Sequence, residues 1–171
     1  MWEVKKSKLH GRGVFANKNI KKGTKIIQYI GEKISKLEGD KRSEKRIQKY
    51  LKSEKTGSVY IFELNKKFDI DGNIKQNKAR FINHSCNPNC EVDIIDNEIW
   101  ISSIKKISSG SELTYDYGYT FGSDYMDHEC FCGSKNCIGY IISQDDLIKY
   151  KKHLKNKIKI VSKAVEMNKK K

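Results

Sequence analysis

The segment CFCGSKNC carries Cys130, Cys132 and Cys137, with one residue between the first pair and four between the second. Thiolates this close cannot all pair with one another, but they suit three corners of a tetrahedral zinc site. Gly133 follows the second sulfur and lets the loop turn tightly, so that main-chain amides can face the sulfurs. The fourth corner must come from elsewhere, and Cys86, Cys90, His84 and His128 all carry suitable donor atoms. Of these, Cys90 reads better as a packed small residue. A zinc ion closed by four protein ligands has no open position, so its role would be to staple the chain.

A second stretch, ARFINHSCNPNC (Ala79 to Cys90), holds the single proline of the chain and two of its five cysteines. Its first half is apolar and its second half is built of turn residues. Such crowding marks either an ordinary turn or a place where cofactor, metal and backbone meet. HGRGVFA (His10 to Ala16) contains a G-x-G, which permits close approach of the main chain to a ligand but alone most often marks a plain turn. In isolation His84 reads more readily as a satisfied structural histidine than as a ligand.

These motifs occur in a fixed order with YIGE (Tyr29 to Glu32) and ELTYDYG (Glu112 to Gly118) between Lys8 and Ile141. In that order the chain resembles the SET-domain protein lysine methyltransferases that carry a post-SET zinc segment. The resemblance implies a mainly β fold, the SET-domain (β-clip) arrangement of several small sheets. It also implies a knot-like crossing of the NHSC and TYDY segments, rare among folds. One helical insert, a small zinc-bound post-SET segment and a C-terminal basic helix complete the expectation. The corresponding boundaries are a SET domain over 1–125 with its insert at about 33–58, a post-SET segment over 126–142 and a tail over 143–171.

The chemistry that the resemblance implies is transfer of methyl groups from S-adenosyl-L-methionine to the ε-amine of a lysine in a protein, often a histone tail. Carried over by motif, His10, Gly11, Arg12, Gly13, Tyr60, Arg80, Asn83 and His84 are the cofactor-binding residues. Tyr117, Tyr115 and Tyr29 are the catalytic ones, and Cys86 becomes the fourth zinc ligand with Cys130, Cys132 and Cys137. A tyrosine of ordinary pKa near 10 stays protonated at neutral pH, so Tyr117 is expected to orient the amine instead of acting as a base. Tyr115 stands where the family has Phe or Tyr; a Tyr crowds an already methylated amine and points to mono- or dimethylation. Glu32 and Asp116 read as structural hydrogen-bond partners, while Tyr119 and Phe121 either pack on the cofactor or cover the core. Gln28, Gly72, Gln76 and Ile138 depart from the family's usual residues.

The elements that must position these residues are mostly short strands. GVFANKNIKKGTKIIQYIGEKI reads as strands divided by a Lys-Lys-Gly turn, and SVYIFELNKKFDIDG as a hairpin. CEVDIIDNEIWISSIKKI is another hairpin, turning at Asp96-Asn97. Between them Ser35 to Lys55 is charged, and Leu37, Ile47, Tyr50 and Leu51 predict a short amphipathic surface helix. Asp145-Asp146 can cap a last helix with Leu147, Leu154, Ile158, Val161 and Val165 on one side.

The charge is lopsided. Lys and Arg number 35 against 21 acids, and ten of the lysines face a single acid between Lys149 and Lys171. Such a tail favours an acidic or nucleic-acid contact, or it is simply a solvated helical face. No apolar run is long enough for a membrane span, and none after Met1 reads as a cleaved signal peptide. An odd number of cysteines suits a reducing compartment. With the histone substrate that the resemblance implies, and a Lys, Ile and Asn richness that hints at a microbe or virus, the expected place is the nucleus or chromatin, of the cell or of a host, or the cytosol. The rival expectations are a non-histone basic protein as substrate, or a non-catalytic basic zinc module that binds chromatin or nucleic acid.

Overall fold

The computed structural model describes residues 1–53 and 59–168. The side chains of Tyr50, Leu51, Val161 and Val165, and the last lysines at 169–171, lie outside what is described. The chain divides into two compact units: Met1–Asn83 with Pro88–Tyr115, and His84–Asn87 with Asp116–Lys171.

The first unit is built of short antiparallel strands. β1 (Trp2–Lys6) pairs with β2 (Arg12–Ala16), setting Trp2 opposite Ala16 and Lys6 opposite Arg12. Next come β3 (Lys25–Tyr29), β4 (Glu32–Ser35), helix α1 (Lys36–Ser53), β5 (Ile61–Glu63) and β6 (Phe68–Asp71). They are followed by β7 (Asn83–His84), whose second residue belongs to the other unit, β8 (Cys90–Ile95), β9 (Glu98–Ser103) and β10 (Thr114–Tyr115). Two three-stranded sheets have the orders β3-β9-β8 and β4-β6-β5, and β7 with β10 makes a small two-stranded one. The architecture is therefore mainly β, with several small sheets and few helices, as expected.

Local chemistry explains the turns and the core. Asp96 and Asn97, at φ of 51° and 61°, join β8 to β9. Both adopt the left-handed conformation that a two-residue hairpin turn requires and that Asp and Asn tolerate. β9 turns Ile99 and Ile101 inward, where with Val14, Leu64, Ile82 and Leu113 they are at most 2% exposed. Each such side chain contributes about 1.5–3 kcal/mol by leaving water. Cys90 is packed in the same way at 1% exposure, as its small size suggested.

Helix α1 forms where expected but docks by a different force. Ser35 accepts the Glu38 N–H as an N-cap, and the helix runs for 18 residues. Leu37 is 80% exposed and Ile47 45%, so the anticipated apolar stripe is not what holds it. Instead Arg46 grips Asp71 with both terminal nitrogens at 2.8–2.9 Å, and Arg42 reaches the same carboxylate at 2.8 Å. Lys36 bridges Asp69 and Glu63. Charged side chains at three- and four-residue spacing can occupy the inward face as well as apolar ones, provided they are paired.

The second unit is organised by its cysteine loop and an aromatic cluster. Two arms of the loop pair around Glu129 and Tyr140, with Cys130 N–H donating to Gly139 O and Ile141 N–H to His128 O. Helix α2 (Leu147–Asn168) follows a 3-10 turn whose N-cap is Ser143. Asp146, read earlier as a cap, instead accepts the Phe121 N–H at 2.9 Å and pairs with Lys149. The helix docks through Tyr150 and Leu154 against Phe121, Tyr125, Ile138, Tyr140 and Ile142. Ile158, expected on the packed side, is 64% exposed. Ile138, a departure from the family pattern, packs against this cluster, and Phe121 belongs to it too.

Candidate functional site

Within the first unit the chain draws distant motifs together through one amide. The Asn83 side-chain N–H₂ is shared among the carbonyls of His10 and Arg12, at 3.3 and 3.1 Å, and the Glu112 carboxylate at 2.6 Å. Glu112 also accepts the Ser7 hydroxyl, at 2.8 Å to one oxygen and 2.9 Å to the other. A Cβ at Gly13 would sit 2.3 Å from that carboxylate. The bare α-carbon of Gly13 thus admits Glu112, which in turn fixes the loop around His10, Gly11 and Arg12. Gly11 lies in the left-handed region at φ 49°.

A row of aromatic rings forms the other part of this unit's candidate surface. Tyr29 lies 5.2 Å from Phe62, and Phe62 6.2 Å from Tyr115, between ring centroids. The Tyr29 hydroxyl donates to the Tyr60 carbonyl at 2.9 Å, and the same carbonyl accepts the Gly72 N–H. Tyr60 itself has φ 57°, an unusual value for a bulky residue and costly by about 1–3 kcal/mol. The two bonds to its carbonyl hold it there. Arg80 lies over the Tyr60 ring at 5.2 Å and over Phe81 at 4.8 Å, and donates to Asn73 Oδ1. Its Nε is buried with no partner among the described residues.

In the second unit His84, Tyr117 and the cysteines belong to one connected group. The Tyr117 N–H donates to His84 Nδ1 at 3.2 Å, and the rings meet edge-on at 5.5 Å. His84 Nε2 lies 3.6 Å from Cys86 Sγ. Burial lowers the pKa of His84, against the opposing pull of Asp116. Asp116 accepts the N–H groups of Gly118 and Gln144, the structural role expected of it. Tyr119 stands between Tyr117 and His128, 40% exposed.

The sulfurs of Cys86, Cys130, Cys132 and Cys137 all lie within 4.8 Å of one another. A tetrahedral zinc with bonds of about 2.3 Å needs sulfurs roughly 3.8 Å apart, so the donor set and its spacing fit that ion. Burial pushes the Cys86 thiol up to about 11. At Cys132 burial acts the same way but is outweighed by the Ser134 hydroxyl and the Cys86 and Ser134 N–H groups, giving about 6. Cys132 is therefore the sulfur that the fold itself favours as thiolate. His84 stands behind Cys86, and neither Cys90 nor His128 joins the group.

Some participants were not singled out in the sequence. Glu112 opens the ELTYDYG motif yet its task, tying Asn83 to Ser7, depends on partners 29 and 105 residues away. Phe62 carries only the alternation of its strand as a signal. A cleft of about 590 Å³ in the second unit is lined by Phe121, Tyr125, Met126, His153 and Ile160 among others, and by none of the expected site residues.

Several small sheets and a group of four thiols that could hold a metal ion define the class of this β protein. The chain belongs to the SET-domain family, whose model matches residues 11–118. It is 38% identical over 142 residues to histone-lysine N-methyltransferase trithorax of Drosophila virilis, covering 81% of this chain and 4% of that protein. It is 37% identical over 136 residues to human histone-lysine N-methyltransferase 2D, covering 77% of this chain and 2% of the relative. Against the H3 lysine-4 specific histone-lysine N-methyltransferase of Aspergillus oryzae it is 38% identical over 141 residues, 80% of this chain and 11% of the relative. The chain thus spans only a small part of the length of the relatives it matches.

Proposed function

We propose that the chain is an S-adenosylmethionine-dependent protein lysine methyltransferase acting on a histone tail, with histone H3 the first candidate. The observation that carries this reading is the Asn83 amide reaching the carbonyls of His10 and Arg12, 73 and 71 residues away. Both motifs are expected at the cofactor from the resemblance, and one side chain joins them. The names of the relatives support lysine in a histone as the acceptor, and the Aspergillus oryzae name suggests the lysine-4 site of histone H3.

S-adenosylmethionine, when bound, supplies a sulfonium methyl group open to in-line displacement. By motif, the residues expected to hold it are His10, Gly11, Arg12, Gly13, Tyr60, Arg80, Asn83 and His84. Arg80 Nε, buried and unpaired among the described residues, suits an anionic group such as the donor's carboxylate. The acceptor must be an uncharged amine, yet a lysine of pKa about 10.4 is only about 0.1% neutral at pH 7.4, a deficit of about 4 kcal/mol. Aromatic surroundings favour the neutral amine, and the row of Tyr29, Phe62 and Tyr115 offers them. By motif, Tyr117 is the residue whose hydroxyl is expected to orient the amine, and its main chain is pinned by His84. No carboxylate or histidine is assigned as base; water takes the proton.

Incubating the chain with labelled donor and histone H3 tests the reading. Incorporation should occur and fall by about 100-fold or more in Tyr117→Phe, the range for loss of a positioned group acting in the transition state. No incorporation into any histone, with donor binding intact, would leave the non-catalytic zinc module or a non-histone substrate. Tyr115 suggests that products stop at mono- or dimethyl-lysine, with Tyr115→Phe extending them. Full trimethylation by the unaltered chain, seen by mass spectrometry, would remove that idea.

A second reading, compatible with catalysis, is contact with nucleic acid through α2. Lys151, Lys152, Lys155 and Lys159 are all exposed and have no acidic partner among the described residues. At about 100° per residue they fall within an arc of about 100° on the side of the helix away from Tyr150 and Leu154. The nucleus is the compartment this reading implies, and no described helix is long and apolar enough to cross a membrane.

A further inference from the structure

The His84 ring is 4% exposed, and each of its nitrogens faces a different kind of neighbour. A main-chain N–H can only donate, so the Tyr117 N–H at 3.2 Å requires Nδ1 to be a bare acceptor. The proton of the neutral ring then sits on Nε2, directed at Cys86 Sγ 3.6 Å away. Asp116 Oδ1 approaches Nδ1 at 3.7 Å, but its carboxylate is already engaged by the Gly118 and Gln144 N–H groups. A protonated Nδ1 would set its hydrogen against that of Tyr117.

We propose that His84 is a two-ended positioning residue, its Nε2–H bonding the metal-bound Cys86 thiolate while its Nδ1 fixes the main chain of Tyr117. The metal staple and the tyrosine that handles the amine are thereby coupled through one imidazole. An N–H pointed at a thiolate is a charge-assisted donor, and such outer partners orient metal ligands and strengthen their hold on the ion. The second half of the idea rests on the reading of Tyr117 as catalytic; the first does not.

Two substitutions separate the two ends. Asparagine places its terminal oxygen near the position of Nδ1, so H84N keeps an acceptor for Tyr117 and loses the donor to Cys86. Glutamine reaches the position of Nε2, so H84Q keeps a donor for the sulfur and loses the acceptor. With the full chain, zinc affinity is measured by competition with a chromogenic chelator, and kcat and KM are measured at saturating zinc. H84N is expected to bind zinc about 10-fold or more weakly than H84Q, as loss of an outer-shell partner does. H84Q is expected to lose more kcat than H84N. Equal effects of the two substitutions on both readouts would overturn the proposal.

Long-range proton–nitrogen NMR on the zinc-loaded, unaltered chain gives a test that needs no variant to fold. His84 should appear with Nε2 protonated and Nδ1 bare; the opposite tautomer would overturn the proposal. If Tyr117→Phe turns over at the parental rate, the catalytic reading of Tyr117 fails. In that event the tautomer and the zinc ordering still decide the metal-facing half.

Discussion

Single atoms set the geometry at several positions, and Gly72 is the sharpest case. A Cβ there would lie 2.4 Å from the Tyr29 hydroxyl and from Asn77 Nδ2, so the missing methyl is what lets Tyr29 reach the Tyr60 carbonyl. Gly72→Ala is therefore expected to cost about 1–3 kcal/mol through overpacking. Urea unfolding checks this, and a variant as stable as the parent would show that Tyr29 has room to move. Asn83, His84, Tyr115 and Tyr117 were singled out in the sequence through the motifs that carry the resemblance. Their partners were not. Nothing local to His84 says that its ring would meet the Tyr117 main chain, 33 residues on, since that contact exists only once the chain has folded back.

Among the elements, the β8–β9 hairpin was readable because Asp96-Asn97 are residues that a left-handed turn accepts, whereas α1 was read with the wrong force. Its apolar positions suggested a greasy face, but the helix is latched by ion pairs whose acidic ends, Asp69 and Asp71, lie on a strand more than fifteen residues away. Burial raises the Asp71 carboxyl, yet hydrogen bonds from Arg46, Arg42 and the Asn73 N–H outweigh it and hold it at about 2. A carboxyl depressed in the folded chain adds stability that is complete above its unfolded value of about 3.9 and is lost as the carboxylate protonates. The term is on the order of 2 kcal/mol at neutral pH. Melting temperature should therefore decline from about pH 4 downward and keep falling through about pH 2, measured by circular dichroism. Asp71→Asn should lower the melting temperature at neutral pH and flatten that acid limb. An unchanged limb would place the acid sensitivity elsewhere.

For the molecule as a whole, charge and partition matter most. A net charge of +14 was plain from composition, but which lysines share a face appeared only when Tyr150 proved to be the docked residue of α2. If Lys151, Lys152, Lys155 and Lys159 meet phosphates, binding to duplex DNA should weaken with salt with a logarithmic slope of about −3 to −4. Replacing the four by glutamine should take most of that slope away; fluorescence anisotropy across a salt series reads it, and a slope that persists would acquit the helix. The division into two units was not readable at all, because it ignores sequence order. The four residues His84–Asn87 belong with the C-terminal unit while the chain on either side of them belongs to the first. No single cut separates the halves intact: a fragment beginning at Asp116 would carry three thiols and lack the fourth. Such a fragment would have to borrow Cys86 from a short synthetic peptide, and zinc-dependent capture of that peptide would turn the chain into a split reporter of its own assembly.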